Sequence, residues 1–76
     1  MVDWRQIVGA NVRRLRKARG QTQEQLAFEA GLDLTYIGGI ERGRRNPSLL
    51  VLARIADALG VTLLDLLARS PSEDPH

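Results

Sequence analysis

At 76 residues the chain is long enough for one domain, close to the lower limit at which a single hydrophobic core sustains itself. It has no cysteine and a single histidine, His76, which excludes disulfides, thiolate-bound metal and an imidazole zinc cluster, so stability must come from helix packing. No apolar run approaches the ~18–20 residues of a membrane span and the amino terminus lacks a signal-peptide core, from which a cytoplasmic location is expected.

Helical periodicity runs through the sequence. Trp4, Ile7, Val8, Val12 and Leu15 recur at i, i+3, i+4 spacing and predict an amphipathic helix from Asp3 to about Arg19, capped by Asp3 and stopped by Gly20. Thr22 with Gln25 forms a capping box that opens a second helix through Ala30, which Gly31 ends. Asp33 caps a third, from Leu34 to about Arg42, stopped by Gly43. Asn46-Pro47-Ser48 is a break followed by a cap. A fourth helix then buries Leu49, Leu52, Ile55, Ala56 and Leu59 and terminates at Gly60. Thr62 caps a short fifth helix, Leu63 to about Arg69. No strand pattern is present, so residues 1–69 read as one compact all-α, five-helix domain. Residues 70–76 hold two prolines among mostly polar residues and are expected to be a disordered tail.

The net charge is +2, from 11 basic and 9 acidic residues, but it is unevenly placed. Arg5, Arg13, Arg14, Arg16, Lys17 and Arg19 make the first segment basic, and Arg42, Arg44 and Arg45 form a second cluster. Asp57, Asp65, Glu73 and Asp74 make the carboxyl-terminal part acidic. Such polarity gives one positive face suited to a polyanion; from charge alone, a solvated surface is the competing reading.

The second and third helices narrow the choice. Ala27 is small where two helices must cross closely, and Gly31 falls at the turn, where positive φ is expected. Ile37 and Ile40 face the core, leaving Leu34, Thr35, Gly38 and Gly39 on or near the outward face. An ordinary αα-hairpin has the same outline; the arginines that follow point instead to a helix-turn-helix over about 23–42. Gln23 stands at a helix start, where phosphates are bound. Arg42 fits a phosphate contact and also complements the helix dipole. Arg13, Arg14, Lys17 and Arg19 read as solvated face that adds to the field. Trp4 and Phe28 read as core or cap packing, because base-stacking platforms usually come as several aromatics.

Gln23-Glu24-Gln25-Leu26-Ala27, Tyr36-Ile37, Ile40-Glu41-Arg42-Gly43, Asn46-Pro47-Ser48-Leu49 and Ala58-Leu59-Gly60-Val61 together resemble the lambda-repressor-like helix-turn-helix regulators, from about Ile7 to Leu67. Gly31-Leu32-Asp33 with Thr35-Tyr36-Ile37 and Gly39-Ile40-Glu41-Arg42-Gly43 looks like the controller proteins of restriction–modification systems. That resemblance implies a compact dimer that controls transcription of its own gene. It implies that Thr22 and Gln23 contact a phosphate or an adjacent base edge, and that Leu34, Thr35, Tyr36 and Gly39 lie in or beside the major groove. Arg42, Arg44, Arg45 and Asn46 would hold phosphates, and Arg16 would pair with Glu41. Controller proteins usually carry arginine where this chain has Leu34 and serine where it has Gly38. Leucine offers only apolar contact, for instance to a thymine methyl. The Gly38-Gly39 pair weakens the helix by about 1 kcal/mol per glycine, and either permits close backbone approach or leaves the helix loose until DNA orders it.

Leu49 to Leu52 and Leu63 to Leu67 hold more apolar side chains than one helix face turns inward. Leu50, Val51, Leu63, Leu64 and Leu67 are therefore candidates for a dimer interface. A symmetric dimer places its recognition helices about one DNA turn, ~34 Å, apart and reads a near-palindrome in double-stranded DNA. An antitoxin or protein-interaction module on the same fold is the alternative. An enzyme is disfavoured: there is no cysteine nucleophile, usable histidine, glycine-rich phosphate loop or obvious carboxylate pair. No cofactor, metal, small-molecule ligand or membrane partner is expected.

Overall fold

The computed structural model describes residues 2–69, which fold into five helices: α1 (Trp4–Ala18), α2 (Gln23–Ala30), α3 (Leu34–Glu41), α4 (Leu49–Leu59) and α5 (Leu63–Leu67). Each begins where a short polar side chain accepts from a backbone N–H of the first turn: Asp3, Thr22, Asp33, Ser48 and Thr62. Thr22 with Gln25 and Thr62 with Asp65 are full capping boxes. Hydrogen bonds from the Thr62 backbone and side chain hold the Asp65 carboxyl below the ordinary carboxylate range. The half of that box supplied by the Asp65 carboxylate is therefore at full strength at neutral pH and weakens as pH falls through the lowered value. The Thr62 hydroxyl contact to the Asp65 N–H does not titrate. Gly31 and Gly60 end α2 and α4 in the left-handed conformation, φ 68° at both.

Helix α1 lies across α3 and α5, α2 packs between α3 and α4, and α4 meets α5. Val12, Leu26, Ile37, Ile40, Ile55, Leu59 and Leu66 form the sealed centre, each at most 1% exposed. The α1–α3 crossing is made close by Gly9. A Cβ there would overlap the carbonyl oxygen of Ile40 and lie 2.9 Å from that of Glu41.

Short helices leave many unpaired carbonyls at their carboxyl ends, and here other helices supply the donors. Asn11 Nδ2 donates to the carbonyls of Leu66 (2.9 Å) and Ala68 (2.8 Å). Arg19 Nη1 donates to the Leu59 carbonyl at 2.9 Å. Arg54 donates to Ala30 through Nε at 3.1 Å and to Gly31 through Nη2 at 2.7 Å. Arg19, though exposed, thus also serves as a cap for α4. Helix α5 stops at Leu67, short of the expected Arg69. Ala68 turns extended (φ −69°, ψ 134°), and Asn11 takes its carbonyl in place of another helical turn.

The polar link that fixes α3 runs through Glu41. Arg16 donates to it twice, Nε to Oε2 at 2.7 Å and Nη2 to Oε1 at 3.1 Å. Arg16 Nη1 also donates to the Gln21 carbonyl at 2.8 Å, and Gln23 Nε2 to Glu41 Oε1 at 3.0 Å. The ion-paired side chains are 10% and 3% exposed for Arg16 and Glu41. Hydrogen bonding to Glu41 raises the Arg16 pKa above its already high value. One carboxylate therefore ties α1, the entry to α2 and the end of α3.

Three apolar expectations are corrected. Trp4, Leu49 and Phe28 are 51%, 63% and 88% exposed. Trp4 and Leu49 open their helices, beyond the ends of the buried stripe. Phe28 lies on the side of α2 opposite Leu26, Ala27 and Ala30, a consequence of the 3.6-residue period. Among the described residues, no helix is long and apolar enough to cross a membrane. The expected tail at 70–76 lies outside the described residues.

Two substitutions test this packing. Gly9→Ala improves helix propensity by about 1 kcal/mol, yet the overlap with α3 is expected to produce a net loss of about 1–3 kcal/mol in urea unfolding. A net gain would show that the α1–α3 crossing can open. Glu41→Ala, which strands Arg16, is expected to cost about 3–5 kcal/mol, whereas Arg16→Met combined with Glu41→Leu costs much less.

Candidate nucleic-acid interface

The amino end of α2 and the outward side of α3 share one surface. Gln23 opens α2 and, held by Glu41, points its remaining amide oxygen toward Gly38 in the middle of α3. Thr22 lies just before it. Its hydroxyl oxygen accepts from the Gln25 N–H at 3.0 Å, so its own O–H remains able to donate to an external acceptor. Leu34, 44% exposed, and Thr35 open α3 and face solvent. The Thr35 N–H donates to Asp33 at 2.8 Å, which anchors the start of the helix.

The two glycines of α3 have a use that composition alone does not reveal: each is a floor for an arginine. A Cβ on Gly39 would lie 2.7 Å from Arg45 Cγ, and one on Gly38 would lie 3.2 Å from Arg42 Nη1. Both glycines are buried by these side chains rather than bare. The side chain of Arg45 therefore lies against Gly39 in the structure without DNA. Its guanidinium also sits 5.6 Å from the centre of the Tyr36 ring, a cation–π distance. Tyr36 is half-buried and packs against the core, so its ring supports Arg45. Arg44 and Asn46 are exposed in the loop that follows, and Gly43 makes the turn with φ 74°.

In α4 and α5, Leu50 and Leu64 are each 76% exposed. Val51, Leu63 and Leu67 instead pack partly against the core. The physical reason in α4 is angular: Leu50 lies opposite the Leu52–Ile55–Leu59 stripe, while Val51 falls on its flank. Trp4, Val8, Pro47, Leu52 and Leu67 line a shallow apolar groove of about 130 Å³.

Sequence reading missed Gly9, Asn11 and Arg54 as positioning residues. A glycine inside an otherwise regular helical pattern was the available signal for the first. Asn11 and Arg54 act across 55 and 24 residues of chain respectively, and nothing local marks them.

The helix-turn-helix family profile matches residues 12–66. Over 64 residues the chain is 48% identical to the control protein C.BamHI of Bacillus amyloliquefaciens, spanning 83% of this chain and 79% of that one. It is 42% identical over 66 residues to an uncharacterized HTH-type transcriptional regulator, y4dJ, of Sinorhizobium fredii, spanning 87% and 86%. Among solved structures, the restriction-modification controller protein C.AhdI from Aeromonas hydrophila superposes with a TM-score of 0.80 at 45% identity, over 82% of this chain and 94% of that one. With five helices in the lambda-repressor-like arrangement and this extent of similarity, the chain belongs to the helix-turn-helix family of transcriptional regulators.

Proposed function

We propose that the protein is a dimeric, sequence-specific binder of double-stranded DNA that regulates transcription in the cytoplasm, including that of its own gene. The observation that carries this is the shared α2–α3 surface, where Leu34 and Thr35 face outward and Arg44 and Arg45 follow directly. In this reading α3 enters the major groove. Thr35 contacts a base edge and Leu34 meets an apolar group such as a thymine methyl. Thr22, Arg44, Arg45 and Asn46 hold phosphates on either side and set the register. Arg45 is held by Gly39 and Tyr36 before DNA arrives, so little side-chain freedom is lost on binding. The protein acts by binding, without catalysis and without a cofactor.

Dimerisation is assigned to the exposed leucines of α4 and α5, which leave apolar surface that the monomer does not cover. Two recognition helices about 34 Å apart then read a near-palindrome. The similarity to the control protein C.BamHI supports a controller role. With regulation exerted through the protein's own concentration, binding to the upstream DNA is expected to be cooperative.

Fluorescence anisotropy on the DNA upstream of its own gene, against a scrambled duplex at about 150 mM salt, tests the reading. Tight cooperative binding to the first is expected; equal weak binding to both would favour the interaction-module alternative. Arg44→Ala weakens both duplexes similarly and shallows the salt slope by about one unit, whereas Thr35→Ala changes base preference. Equal losses for Thr35→Ala on the two duplexes would remove its assigned role. Leu50→Asp with Leu64→Asp yields a monomer by sedimentation with its helical circular dichroism retained, since neither side chain supports the core. An unchanged dimer would place the two-fold elsewhere.

A further inference from the structure

Gly38 occupies the middle of the outward side of α3, and two polar groups converge on it. A Cβ there would lie 3.2 Å from Arg42 Nη1 and 3.8 Å from Gln23 Oε1. Arg42 follows Gly38 by about one helical turn, so its side chain folds back along α3 and does not run on past the helix end. The orientation of the Gln23 amide is fixed by chemistry. Glu41 is a carboxylate paired with Arg16 and can only accept, so the atom 3.0 Å from it must be Nε2. Oε1 is then the atom turned toward Gly38. The surface presents a planar fork of N–H donors beside one carbonyl acceptor, above backbone that carries no side chain.

That pattern matches one base pair better than the others. In the major groove, guanine offers two acceptors, N7 and O6, and its cytosine partner offers the N4 amino donor. An A·T pair would set the adenine N6 donor against the arginine fork and the thymine O4 acceptor against the Gln23 carbonyl. We propose that Gly38, Arg42 and Gln23 form a slot that reads one G·C pair per half-site. Arg42 donates to guanine N7 and O6, and Gln23 Oε1 accepts from cytosine N4. This rests on the DNA-binding reading above and moves Arg42 from the phosphates to a base edge. It also gives Gly38 a role: an alanine Cβ would lie 3.2 Å from Nη1 and shift the fork by a few tenths of an ångström. The Arg16–Glu41–Gln23 chain of hydrogen bonds becomes the support that aims the acceptor.

The test is selection from a duplex library randomised across two adjacent helical turns, using the full chain, Arg42→Lys and Gly38→Ala. Arg42→Lys keeps the charge and a phosphate grip but loses the fork. Gly38→Ala adds only the obstructing methyl and is a better helix former, so a thermal melt at or above wild type separates its effect from unfolding. The wild type is expected to enrich a symmetric motif with one invariant G·C pair per half-site that both variants relax. Each variant loses about tenfold in discrimination at that pair and keeps its preferences elsewhere. If Arg42→Lys binds every selected duplex more weakly with base frequencies unchanged, Arg42 is a phosphate contact. The slot is then overturned while the DNA-binding reading stands. If the wild type enriches no motif, both are overturned.

Discussion

The arrangement of this domain depends on one buried charge, the carboxylate of Glu41. It stands at the last residue of α3, where a helix already carries partial negative charge on its free carbonyls. Burial there is tolerable only because Arg16 meets both oxygens and Gln23 adds a further donor. Helix α3 is eight residues long and contains two glycines, so it has little stability of its own. Its position is set by Ile37 and Ile40 in the core and by this carboxylate at its end. The same group holds the entry of α2 through Gln23, while Arg16 holds Gln21, so the angle between the two helices is fixed at the surface where they act.

Surrounding interactions extend the same logic. Each helix supplies its own amino-terminal cap, but the carboxyl ends of α2, α4 and α5 are completed by Arg54, Arg19 and Asn11 from elsewhere in the fold. Arg19 and Asn11 both lie on α1 or at its end, so the longest helix stabilises two shorter ones that could not persist alone. Basic residues that sequence would assign to a solvated face are in part structural, and less of the positive charge is free than the composition implies. Arg13 and Lys17 remain exposed on α1, and a second exposed group, Arg42, Arg44 and Arg45, follows α3. There Arg42 and Arg45 lie along the helix, held by the absence of side chains at Gly38 and Gly39. The glycine pair therefore lowers helix propensity while ordering the arginines that give the surface its chemistry.

Local signals determined most of the architecture. Five caps, the stop glycines and the 3.6-residue apolar spacing each depend on residues within a turn or two of one another. The helix count, most boundaries and the helix-turn-helix were therefore legible in the chain. The Arg16–Glu41 pairing was also expected, through resemblance to regulators of the same family. Tertiary structure decided whatever requires distant segments to meet: the Gly9 contact with α3, the carbonyls taken by Asn11 and Arg54, and the exposure of Trp4, Leu49 and Phe28. It also decided that Gly38 and Gly39 make room for arginines of the same chain. Periodicity states which side a residue occupies on its own helix. Whether another element covers that side, and which donor reaches a free carbonyl, is set by how the helices cross.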